Sequence, residues 1–528
     1  MSATSVYLEG LIDECGGFSR FQWIMFSYMI YSKLSVTWTM LMMTFAGATP
    51  DWQCGYTNYS SHATTPSTDH MYYVDKQCQP PVNNSIEMCL KLKFSPSMNT
   101  VVNEWTLVCD RDWITSTITT IQMAGLLVSC VASGHLADYI GRKPTFFLSL
   151  TIMIVLNVVA GFSVSWQMFA TLRFLLGFGI GANLTVFYNY MIEFIPAKRR
   201  AITIAFPGWA IWACVFGGLS MWLHDWQYIH YAVSILTLPC LFMWWFLPES
   251  FRYLVTHNRV EEAKDVIRKI SRINGKPEPD MTKMSFFVEE DLKVQDDRKY
   301  SIRDVARSPN LRKCTFLLGF AWMSCGYGYY AISFGVQNLS GSLYLNMFLL
   351  SVVEIPAQVS SYYLTNRFGR KWVTLALMLL AGITGFIVAV LQISDLELKD
   401  SLVNWFALAS KMSVGVGWAT LIILSSETYP PHCHSETYPT VVRNIGYGML
   451  NSFARIGAMV APQIVYLNSY IPGAMYFIFS GVMVASAFCL YFVNETNKKP
   501  MEDGIEVTKK EQKEDYQDHI NQAFDTKL

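Results

Sequence analysis

Apolar stretches of about 20 residues, the length that crosses a bilayer core, recur along this chain with short polar breaks between them. They fall near 21–48, 113–136, 144–163, 166–192, 201–223 and 228–247, and again near 312–336, 341–364, 372–392, 401–425, 444–466 and 471–493. A soluble core has no room for so much apolar surface. Charged residues make up 15% of the chain, against about 25% in soluble domains. Backbone groups inside lipid must find their hydrogen bonds within their own segment, so each stretch is predicted to be a helix. The expectation is therefore an all-α polytopic membrane protein with twelve transmembrane helices. The formal net charge of zero excludes a strongly basic nucleic-acid binder and an acidic disordered chain. The first twenty residues hold Glu9, Asp13 and Glu14 and no apolar run, so no signal peptide is expected there.

Orientation follows from lysine and arginine. The segment 249–311 carries thirteen of them and the segment 49–112 only four, which places the central loop in the cytosol and the first loop outside. Gly141-Arg142-Lys143, Lys198-Arg199-Arg200 and Gly369-Arg370-Lys371 fall on the same cytosolic side. The expected organisation is a cytosolic N-terminus (1–20), a first six-helix bundle (21–247) that includes the outer loop 49–112, a cytosolic central loop (248–311), a second bundle (312–493) and a cytosolic tail (494–528). The outer loop holds Cys54, Cys78, Cys89 and Cys109, an even set that reads as two disulfides with three pairings open. It also holds glycosylation sequons at Asn58 and Asn83. The adjacent His432-Cys433-His434 makes a poor metal cage, and no metal site is assigned.

The two halves are repeats. Leu136-Ala137-Asp138-Tyr139-Ile140-Gly141-Arg142-Lys143 returns as Leu364-Thr365-Asn366-Arg367-Phe368-Gly369-Arg370-Lys371. Glu193, Pro196 and Arg200 match Glu436, Pro439 and Arg443, and Arg173, Gly177 and Gly179 match Lys411, Gly415 and Gly417. Three matches in the same order describe two bundles related by an axis along the membrane normal, with a site between them near the midplane. The Gly-Arg-Lys turns with Asp138, Glu193 and Glu436 read as a charge-pair gate on the cytosolic side. Ser426-Glu427-Thr428-Tyr429-Pro430 is duplicated as residues 435–439; the second copy, which continues to Arg443, is taken as the gating one.

At these residues the chain resembles the major facilitator superfamily and, within it, the organic cation, anion and zwitterion transporter family. The narrower resemblance rests on the cysteine-bearing first loop, Glu104-Trp105-Thr106-Leu107-Val108-Cys109, the run Gly134 to Lys143, Leu172-Arg173-Phe174-Leu175, and Pro248-Glu249-Ser250-Phe251-Arg252-Tyr253-Leu254. The last element is Glu436-Thr437-Tyr438-Pro439-Thr440 with Arg443-Asn444. It covers residues 1 to about 495 and implies a plasma-membrane secondary transporter of small organic ions that works by alternating access, with both termini cytosolic and a single copy of the Ser-Glu-Thr-Tyr-Pro segment.

Ionisable residues inside lipid-crossing helices are costly and point to function. Five qualify: Lys33, Arg173, Glu354, Lys411 and Arg455. The resemblance implies that arginine at position 455 goes with anion and zwitterion carriers, where it would grip a substrate carboxylate bidentately; the bland alternative is a salt bridge between helices. Lys411 fits the same branches. Glu354 fits the cation and zwitterion branches, and either attracts a positive group or neutralises Lys411. Arg173 is expected to bond within its own half. Lys33 is not implied by the resemblance and either lines the pathway or snorkels. Trp322, Tyr329, Trp418 and Trp212 are candidate ring faces for a quaternary ammonium.

The reading is thus a carrier of carnitine-like zwitterions or organic anions. Its rivals are a cation carrier that uses Glu354 with Arg455 structural, and a polytopic sensor that transports nothing. No nucleophile–base pair or phosphate loop marks an enzyme, and no bound cofactor is expected. Sodium, protons or an exchanged substrate stay open as the coupling partner. The terminal Asp525-Thr526-Lys527-Leu528 resembles a PDZ ligand.

Overall fold

The computed structural model describes residues 3–57, 71–76, 78, 91–196, 199–200, 206–286, 309–428 and 440–495. A short helix α1 (Ala3–Glu14) precedes the first half, which is built from α2 (Arg20–Leu41, extended by Met43–Ala46), α3 (Trp113–Ile140), α4 (Arg142–Gly161), α5 (Trp166–Ile192), α6 (Gly208–Ser220) and α7 (Trp226–Thr237, continued as 3-10 helix to Trp244). Between the halves lie α8 (Phe251–Thr256) and α9 (Val260–Asn274). The second half runs through α10 (Pro309–Phe334), α11 (Leu343–Val352) with α12 (Glu354–Phe368), α13 (Arg370–Ile393), α14 (Lys399–Thr428), α15 (Thr440–Tyr470) and α16 (Ala474–Tyr491). Counting α11 and α12 as one, these give twelve segments in the predicted places. Among the described residues, seven helices are long and apolar enough to cross a membrane by length and composition.

Two features depart from a purely helical reading. The loop after the first span carries a small antiparallel sheet of β1 (Trp52–Thr57), β2 (Met71–Asp75) and β3 (Lys91–Phe94), with β1 central. Alternation over four to six residues is too short a signal to stand out in a polar loop. A disulfide joins Cys78 to Cys109, and Cys54 is disulfide-bonded as well; Cys89, Asn58 and Asn83 lie outside the described residues. The second departure is that both loop ends fold onto the bundle. Leu8, Leu11, Ile12 and Cys15 of the N-terminal segment are buried, and Asn274 at the end of α9 accepts from Phe21 N at 2.9 Å.

Each half is packed by the same device. α3 lies against α5, and α10 lies against α15. A side chain at Gly177 would run into the Gln122 carbonyl of α3, and one at Gly457 into the Met323 carbonyl of α10. Small residues here let two backbones approach as closely as membrane packing requires. The halves meet through α3 with α15 and α6 with α11. At the end that bears the 49–112 loop, Asp112 accepts from the hydroxyls of Tyr466 and Tyr470, both at 2.9 Å, and Gln463 donates to Thr120 at 3.0 Å. The molecule is closed at the loop-bearing end.

Candidate functional site

The repeat-matched bases occupy matching places. Arg173 on α5 is fully buried; it donates to the Gln122 side chain of α3 and to the Thr39 carbonyl of α2, the latter at 3.1 Å. Lys411 on α14 reaches the corresponding helices of the other half. Its Nζ lies 3.1 Å from Glu354 Oε1 and donates to Ser333 Oγ at 2.6 Å and the Tyr329 carbonyl at 3.2 Å. The same ammonium sits 3.1 Å from the Tyr329 ring centre, and the Tyr329 hydroxyl donates to Glu354 Oε2 at 3.0 Å. So in each half a base from the fourth span meets a polar group from the second and a carbonyl from the first. Only the second half makes the polar group an acid.

Both side chains of the Lys411–Glu354 pair are 3% exposed. Between the halves they border a cavity that Tyr329, Ser333 and Ser351 line with Leu41 and Ala213 of the first half. It has room for about one water molecule. From Tyr329 on its wall a chain of rings leads away: Tyr329 with Trp418 at 5.8 Å, Trp418 with Trp322 at 6.4 Å, and Trp322 with Tyr447 at 5.3 Å between centroids. The Trp322 indole donates to Ser425 Oγ at 2.8 Å, which fixes its ring. Trp212 does not join them. Its indole donates to the Ile30 carbonyl at 2.7 Å, and its own carbonyl accepts from Trp38, so it is spent on packing α6 against α2.

Arg455 is 8% exposed on α15. Beside it stand the Tyr330 hydroxyl of its own half and the Cys130 thiol of α3 across the interface. Its Nε has no partner. No carboxylate stands within ion-pair distance of it among the described residues, so the interhelical salt bridge weighed from sequence is not found there. Lys33 on α2 is buried rather than snorkelling; it donates to the Tyr188 hydroxyl at 3.1 Å.

The Gly-Arg-Lys turns are built alike. Gly141 has φ +111° and Gly369 has φ +94°, conformations that side chains resist. In the first turn Arg142 bonds Asp138 at 2.9 Å and Glu193 at 3.4 Å, while Lys143 lies over the Trp244 ring at 4.6 Å. Burial raises the Glu193 carboxyl above its ordinary value and Arg142 opposes this. Arg200 bonds Glu9 of α1 at 2.8 Å, which also bonds Arg252 at 3.2 Å. Asn366 lies in the last turn of the matching helix α12. The side chains of Glu436 and Arg443 lie outside the described residues, as do the second Ser-Glu-Thr-Tyr-Pro copy, His432-Cys433-His434 and the last four residues.

Two carboxylates complete these turns. Glu249 Oε1 accepts from the backbone N–H groups of Arg142 and Lys143 at 3.2 and 3.1 Å, capping α4. Glu495 accepts from those of Arg370 and Lys371 at 3.0 and 3.1 Å, capping α13. Sequence reasoning assigned Glu495 to the tail. The signal was available as a fourth repeat match: each glutamate closes its half just past the sixth span.

The family model described as sugar (and other) transporter matches residues 39–507. The chain belongs to this family of membrane transporters, and its fold is that of the major facilitator superfamily. Over 425 residues it is 29% identical to solute carrier family 22 member 21 of Mus musculus, covering 79% of this chain and 72% of that one. It is likewise 29% identical over 412 residues to the organic cation/carnitine transporter 2 of Rattus norvegicus, covering 78% and 72%. Among solved structures it is similar to the inward open conformation of the xylose transporter XylE from E. coli. The TM-score is 0.63 at 14% identity, covering 91% of this chain and 98% of that one, a likeness of fold alone.

Proposed function

We propose that this chain is a plasma-membrane secondary transporter that carries small organic anions by alternating access, with Arg455 gripping the substrate carboxylate. One observation carries the choice of charge: Arg455 is buried between the halves with no acid beside it among the described residues. A buried charge with no opposite charge beside it is costly, and a bound carboxylate offsets that cost. Glu354, the residue a cationic substrate needs, is engaged by Lys411 and Tyr329. The orientation adopted is the one that lysine and arginine favour, with the 49–112 loop outside and the central loop and both termini in the cytosol.

The relatives' names include organic cations and carnitine, and one feature supports a zwitterion as second reading. The rings of Tyr329, Trp418, Trp322 and Tyr447 offer faces that hold a quaternary ammonium while Arg455 holds its carboxylate.

Uptake into cells or proteoliposomes of a labelled monocarboxylate, a carnitine-like betaine and tetramethylammonium tests this, with sodium, proton and counter-substrate gradients varied in turn. Carboxylate-bearing probes are expected to accumulate saturably, and Arg455→Ala to cut their uptake at least about tenfold, the worth of one charge-assisted contact. Tetramethylammonium uptake that survives Arg455→Ala, without carboxylate uptake in the wild type, would overturn the reading.

A further inference from the structure

Lys33 is a second buried cation for which the fold supplies no acid among the described residues. It is 4% exposed. Its Nζ lies 4.8 Å from the ring centres of both Phe187 and Tyr188 and donates one hydrogen bond, to the Tyr188 hydroxyl. An ammonium has three donors, so two of them have no described acceptor. Tyr188 itself is 41% exposed, which puts the group at the edge of open space and outside the core of its own half. Tyr447 of α15 lies within electrostatic reach of both Tyr188 and Arg455. The two cations therefore belong to opposite halves, Lys33 on α2 and Arg455 on α15. Arg173, the other cation without an acid, differs: it is fully buried and its guanidinium is held by Gln122 and Thr39 inside one half.

We infer that Lys33 is the first half's own contact to the substrate, and that one anionic head group, a carboxylate or sulfonate, is shared between Lys33 and Arg455. A head group of this kind offers at least two oxygens, one toward each cation. The shared anion draws the two halves together as the site closes, so charge recognition and closure become one event. Lys33 is then also a specificity-determining residue, because a cation entering between the halves meets like charge on both walls. This rests on the proposed transport of organic anions and deepens it.

The test is uptake of labelled benzoate and tetramethylammonium by wild type, Lys33→Gln, Lys33→Arg and Arg455→Ala, at matched surface expression and with melting temperatures measured in detergent. Lys33→Gln is expected to raise the apparent KM for benzoate at least about tenfold and to admit tetramethylammonium, with melting unchanged. Lys33→Arg, which keeps the charge, is expected to stay within about threefold of wild type and to exclude the cation. A benzoate KM unmoved by Lys33→Gln while Arg455→Ala abolishes uptake would overturn the role of Lys33 and leave the anion carrier standing. Benzoate uptake that neither variant changes, or none in wild type, would overturn both. If Lys33→Gln does not fold, Lys33→Arg decides: a folded variant that loses benzoate selectivity despite its charge refutes the inference.

Discussion

Lys411 Nζ and Glu354 Oε1 stand 3.1 Å apart inside the second half, where Arg173 and Gln122 hold the same positions in the first. One half thus carries a neutralised pair and the other a lone base. Glu354→Gln leaves the Lys411 ammonium buried without its acid, and breaking a buried pair in this way costs about 3–5 kcal/mol. The detergent melting temperature should fall clearly in Glu354→Gln and recover in most part in the Glu354→Gln/Lys411→Met double variant. Equal melting of the single and double variants would show that the two charges are not coupled.

The glycine turns predict a position-specific intolerance. A methyl group at Gly141 meets the Glu249 carboxylate in a backbone conformation with φ +111°, and such strain costs about 1–3 kcal/mol. Gly141→Ala and Gly369→Ala should both lower surface expression and melting temperature. Gly134→Ala, seven residues earlier in open space, should leave both unchanged.

The contact of Asp112 with Tyr466 and Tyr470 closes one end of the molecule. Hydrogen bonds to a charged group contribute about 1.5–3 kcal/mol each. Removing both hydroxyls in Tyr466→Phe/Tyr470→Phe should therefore shift the population toward an open loop-bearing end by at least about tenfold. Labelling rates of a cysteine placed at Thr120 report the opening. A rate equal to that of the closed wild type would show that the tyrosines do not hold this end.

Glu193 gives a pH dependence. Burial raises its carboxyl above the ordinary 4.5, with Arg142 and Arg252 acting in the opposite direction. The folded state therefore holds this proton more tightly than the unfolded one. Its stabilising contribution is full below the ordinary value and is lost as pH rises through the raised folded value. Glu193→Gln fixes the neutral form, so its melting temperature should vary less across that window than that of the wild type. A parallel pair of pH–melting curves would refute the assignment.

Much of the fold was legible because the bilayer imposes a simple rule on apolar length. The stretch at 166–192 emerges as a helix with those same ends, Trp166–Ile192. The repeat also led to Arg173 and Lys411 as matched bases and allowed Glu354 as a partner of Lys411. What stayed hidden depends on groups that sequence periodicity does not encode. Glu249 and Glu495 act on backbone N–H groups, which every residue type but proline carries, so no partner residue announces them. Asp112 meets Tyr466 across 354 positions, and neither belongs to a repeated motif. The bond between Arg200 and Glu9 reaches an N-terminal helix that no repeated motif contains. Trp212 had the right residue type, yet the backbone carbonyl of Ile30 claims its indole.

Glu249 and Glu495 each fasten the half that they conclude by accepting from its backbone. Each half is therefore sealed by a residue of its own chain, placed last. A cut between Phe286 and Pro309 leaves each glutamate on the half that it caps. Two separate polypeptides divided there should find each other in the membrane and rebuild the carrier, whereas a division one residue before either glutamate should not.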